Sequence, residues 1–155
     1  MKATIGRRSA VSGRAARRLE DVGDVNCWAG ANRELAKCEA TLGDPDPARE
    51  RLSAVIERMP VLPMQEIAKP RTLDSAADVF FADGRYDEAG VTLGVALAAE
   101  LPAEYQRQRD PELREMRDHL AHVLGEPRLR ELTTQGESLG LDEALAQTRT
   151  WLAIR

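Results

Sequence analysis

Thr72–Leu101, TLDSAADVFFADGRYDEAGVTLGVALAAEL, limits what this chain can fold into more than any other stretch. Leu73, Ala76, Ala77, Phe80 and Phe81 fall at helical spacing and make one apolar stripe. Ala89, Leu93, Ala96 and Leu97 make a second. Gly84 lies between them and can adopt the left-handed conformation that ends a helix at low cost. The spacing predicts two helices joined by a tight turn. Neither can shield its stripe alone, so each must pack on the other and on neighbours.

The rest of the chain extends that reading. Aromatics are only 4% of the 155 residues, against 43% hydrophobic and 31% charged, which favours closely packed helices over strands. From Cys27 to Leu42, Trp28, Ala31, Leu35, Cys38 and Leu42 form a seam that Gly43 ends. Asp46 and Pro47 suit the start of the next helix, which carries Ala48, Leu52, Val55, Ile56 and Met59 and stops near Pro60. Pro60–Pro70 reads as irregular, with one or two helical turns at 63–69, Lys69 held out of helical space by Pro70, and an internal hinge. Residues 102–109 read as a polar linker, after which Asp110-Pro111 restarts a helix through Leu113, Met116, Leu120, Val123 and Leu124. Pro127 opens a short helix to about Gln135, Gly136 and Gly140 bracket a loop, and a final helix carries Leu141, Leu145, Thr148 and Leu152.

Charge is uneven. Residues 1–19 hold Lys2, Arg7, Arg8, Arg14, Arg17 and Arg18 and no acid, so the remaining chain is at −10 against a total of −4. An acidic body is a poor nucleic-acid surface. The expected organisation is a basic, partly disordered head at 1–22 and one helical domain at 23–155. That domain holds hairpins at about 27–60 and 72–101 and closing helices at about 110–155. No apolar core follows the basic residues to make a signal peptide, and no apolar run approaches membrane-spanning length. On one helix Cys27 and Cys38 would share a face about 16 Å apart, too far for a disulfide, and read as two buried thiols of a reducing cytoplasm.

Residues 42–60 can be laid on residues 83–101 with a spacing of 41. Gly43 then matches Gly84, Ala48 matches Ala89, Leu52 matches Leu93 and Val55 matches Ala96. Small alanines let helices approach, and larger residues one turn later fill the groove behind them. With Tyr86 after the turn and Ala77 and Phe80 on the first helix, this pattern resembles the tetratricopeptide repeat. The first copy departs from it, with Asn32 and Glu39 where aromatics are usual, and both copies are longer than the usual repeat. Gly94, the helix closing on Leu124-Gly125-Glu126, and GESLGLDEAL at 136–145 make residues 26–155 similar to the C-terminal end of large bacterial LuxR-type and antibiotic-regulatory activators of the signalling NTPase class. The resemblance implies an all-α fold of antiparallel hairpins stacked as a short solenoid. It also implies a non-catalytic, cytoplasmic scaffold that binds a protein or peptide, such as another domain of a larger regulator, and needs no cofactor.

Gly6–Arg14 lacks the spacing and the preceding strand of a phosphate-binding loop, and no helix-turn-helix with a basic recognition helix is readable. Glu115, His119 and His122 could hold a transition metal, the basis of a third reading as a metal-dependent enzyme, but the spacing suits surface histidines better. Asp110, Glu112 and Glu115 read as capping acids at a helix start. Tyr86 and Tyr105 are candidate partner contacts, and the arginines at 49, 51, 58, 107, 109, 114 and 117 read as solvated faces. A DNA-associated regulator using the basic head as a phosphate-binding arm is the alternative function.

Overall fold

The computed structural model describes residues 14, 16–21 and 23–154, and every regular element among them is helical. The head proper, residues 1–13, lies outside them. Helical turns at 16–21 lead into seven helices: α1 (Val25–Thr41), α2 (Pro45–Arg58), α3 (Ala68–Ala82), α4 (Tyr86–Ala98), α5 (Ala103–Leu124), α6 (Glu126–Glu137) and α7 (Leu141–Leu152). None is long and apolar enough to cross a membrane.

One turn design recurs. Gly43 and Gly84 have φ of 83° and 75°. Each donates its amide three residues back, to Ala40 and Phe81, and the next amide reaches five back, from Asp44 to Glu39 and from Arg85 to Phe80. These bonds satisfy the last carbonyls of α1 and α3 and swing the chain into the following helix. The spacing of 41 read from the sequence therefore holds at the level of individual hydrogen bonds. Gly23, with φ of 75°, repeats the pattern through Glu20 and Leu19 ahead of α1.

The predicted stripes form the core, except that Leu97 at the end of the second is exposed. Leu73, Ala76, Phe80, Ala89, Leu93 and Ala96 are buried in one cluster with Ala48 and Leu52 of α2 and Leu145 and Leu152 of α7. Trp28, Ala29 and Val55 make a smaller cluster beside Leu19. Helix α1 packs on α2 and α3, α3 on α4, and α4 on α5. Helix α7 folds back onto α2, α3 and α4, where Trp151 meets Phe80 edge-on at 6.0 Å.

Asn32 and Glu39, the departures from the repeat pattern, belong to one network. Arg51 of α2 donates to both oxygens of Glu39 (2.9 and 2.8 Å) and to Asn32 (3.2 Å), while Asn32 donates to the Trp28 carbonyl (2.9 Å). A polar fork joins α1 to α2 at the positions where the tetratricopeptide repeat usually has aromatics.

Five local expectations are corrected. Helix α3 begins at Ala68, so Lys69 and Pro70 are helical and residues 63–65 are not. Proline is tolerated there because amides of a first turn have no partner within the helix. Residues 103–109 are not a linker: α5 runs unbroken through Pro111, so Asp110, Glu112 and Glu115 stand inside it rather than at its start. Gly136 is helical and buried, not in a loop. A Cβ there would lie 2.9 Å from the Val95 amide and would strike the Val91 carbonyl; one at Gly94 would lie 2.7 Å from the Thr133 Cα. Helices α4 and α6 therefore cross backbone to backbone. Cys27 is exposed and Cys38 half-buried, so the pair are not two buried thiols. Arg109, finally, is completely buried.

Candidate functional site

Helices α1, α3 and α5 line one side of the molecule, each with charged residues one turn apart. These are Arg33 and Lys37 on α1, Arg71, Asp74 and Asp78 on α3, and Arg109 and Glu112 on α5. The three- and four-residue steps put each set on a single helix face.

Two layers of contacts cross these helices. In one, Arg109 Nε and Nη2 donate to the two oxygens of Asp74 at 2.9 and 2.7 Å. The same guanidinium donates to the Ala96 carbonyl (2.7 Å) and the Ala99 carbonyl (3.3 Å), so it also caps the C-terminal end of α4. One side chain thereby ties α3, α4 and α5 together. In the other layer, Lys37 Nζ lies 3.4 Å from both Asp78 and Glu112, bridging α1, α3 and α5.

Beside Lys37 opens a groove of about 670 Å³, lined by Lys37, Asp78, Phe81, Ala82, Glu112, Glu115, Met116 and His119. His119 stacks on Phe81, with ring centroids 5.7 Å apart and planes 24° from parallel. Burial pushes the Asp78 carboxyl up to about 6, although Lys37 pulls it back toward its ordinary range. Burial works against the Lys37 charge as well, yet Asp78, Glu34 and Glu112 hold its ammonium above the usual lysine value. The groove thus offers a ligand a stacked aromatic platform, a lysine and several carboxylates.

The sequence candidates are distributed as follows. Glu115 and His119 line the groove, whereas His122 is exposed in the last turn of α5 and is not among its lining residues. Among the described residues no three His, Cys, Asp or Glu side chains are grouped to hold a metal ion. Tyr86 packs against Phe81 at 5.4 Å and against the core, and Tyr105 is exposed on α5. The repeat-packing residues Ala77, Phe80, Ala89, Leu93 and Ala96 are buried, and Gly84 forms its turn. Arg49 pairs with Asp46 and Asp83, and Arg58 pairs with Glu20 while lying 4.5 Å over Trp28. Lys37, Asp74 and Asp78 were not singled out in the sequence. Their signal was a charge one turn from another charge, a pattern any solvated helix face shares.

The chain matches no family model, no curated protein and no solved structure. What it does must be argued from its own geometry.

Proposed function

We propose that the protein is a non-catalytic helical scaffold whose groove between α1, α3 and α5 receives a segment of a partner protein. The partner is a separate polypeptide or another domain of a bacterial transcriptional regulator of which this chain is the C-terminal part or a short relative. The observation that carries this reading is the groove itself. It opens between three helices, with the Phe81–His119 stack and Met116 supplying contact area and Lys37, Asp78 and Glu112 supplying orientation. That mixture suits a peptide with alternating apolar and charged side chains. The tetratricopeptide-like order of turns and alanines fits the same use, since stacked helical hairpins bind through the surface their first helices share.

The test is selection of binders from a displayed random-peptide library. Ala82 is exposed and lines the groove, so Ala82→Arg obstructs it without entering the core. Ala146→Arg places the same side chain at an exposed position of α7 as a control. Selected peptides are expected to lose binding to Ala82→Arg by tenfold or more, about 1.4 kcal/mol, and to keep it with Ala146→Arg. Equal binding to the two variants contradicts the assignment.

A further inference from the structure

We propose that Arg33, together with Arg71, is a binding site for a single oxyanion group, a carboxylate or a phosphate, one turn along α1 from Lys37. Arg33 Nη1 is shut away from solvent and donates to no acceptor. Its Nη2 lies over its own helix, 3.7 Å from where a Cβ on Gly30 would stand. Among the described residues no carboxylate forms an ion pair with Arg33, because the nearby Asp74 is already engaged. Both Asp74 oxygens accept from Arg109, and Arg71 Nη1 adds a longer contact at 3.8 Å. This layer therefore holds three guanidinium groups against two carboxylates, Asp74 and Glu34, neither of which forms an ion pair with Arg33.

The charge balance acts on Arg33. Burial and the neighbouring Arg71 bring its guanidinium down to about 10, with Glu34 and Asp74 only partly offsetting them. A guanidinium kept from water needs an acceptor, and its planar fork matches the paired oxygens of a carboxylate or phosphate. Arg33 is only partly buried as a residue, so rotation of its long side chain can turn the fork outward toward an arriving anion. The site does not depend on the groove binding a peptide.

The test follows the urea midpoint at fixed ionic strength and neutral pH while chloride is replaced by phosphate or by acetate, in the wild type, Arg33→Met, Arg71→Met and Arg107→Met. Arg107 is exposed on α5 and controls for net charge. The wild type and Arg107→Met should show a saturable rise with the bound anion, beyond the gradual rise phosphate gives by exclusion from protein surfaces. Arg33→Met should lose the saturable part and, in chloride, be at least as stable as the wild type. Arg71→Met should weaken it. Saturation that Arg33→Met loses, whether by phosphate alone, by acetate alone or by both, upholds the site and says which oxyanion it prefers. A phosphate and acetate response in Arg33→Met equal to the wild type's overturns it. Phosphorus NMR of free phosphate titrated with the wild type needs no variant: line broadening that chloride does not abolish at matched ionic strength supports the site, and unchanged lines together with no acetate response in the midpoint refute it.

Discussion

Asp78 carries its charge against the preference of its surroundings. Unfolded, a carboxyl of this type releases its proton near pH 3.8; folded, burial holds the proton up to about 6. Between those values the folded chain binds more protons, so the contribution of Asp78 to stability is greatest at low pH and is lost as pH rises through 6. Asp78→Asn removes that dependence. Compared with the variant, the wild type should lose about 1 kcal/mol between about pH 4 and pH 7, a value kept small because the side chain is 32% exposed. Urea midpoints of the two proteins across that range measure it, and parallel curves contradict it. Arg109 is the opposite case, a buried charge matched by a carboxylate and two main-chain carbonyls. Its sequence context, an arginine in a polar run, matched that of its exposed neighbours. Only the C-terminal end of α4 and Asp74 on α3, both distant in sequence, make it structural.

At the scale of elements, α5 shows what local pattern conceals. Asp110-Pro111 has the form of a helix start, and Pro111 nevertheless lies inside a helix running from Ala103 to Leu124. Anchorage of Arg109 to α3 and α4 holds the preceding turns helical despite the amide proline lacks. Pro111→Ala should therefore raise the unfolding free energy by roughly 1–3 kcal/mol, read as a higher urea midpoint. At a true helix start the same change would bring little or a small loss. The hairpins α1–α2 and α3–α4 were legible because their turn glycines and buried alanines are local, repeated signals. The start of α3 and the position of Gly136 were not. A proline in a first turn looks like a breaker, and a glycine pressed on another helix looks like a loop, until the neighbour is known. The groove was hidden for the same reason, since three helices contribute to it and none contains it.

For the whole molecule the critical contact is between α4 and α6. Gly136→Ala places a methyl group against backbone atoms of α4 that cannot move aside as a flexible side chain could. The expected loss is about 3 kcal/mol or more, above the usual range for a single added methyl group in a core that can relax. Gly140→Ala, where a Cβ meets nothing, is the matched control. Equal urea midpoints for the two variants would show that the helices can separate freely. The contact also governs motion. Two main chains in touch leave no layer of side chains to readjust between them, so separating α4 from α6 disturbs backbone as well as core, and α3 is joined to both through that shared core. Of the groove's three walls only α3 belongs to that unit, so under the proposed function α1 and α5 set the width of the segment the groove accepts.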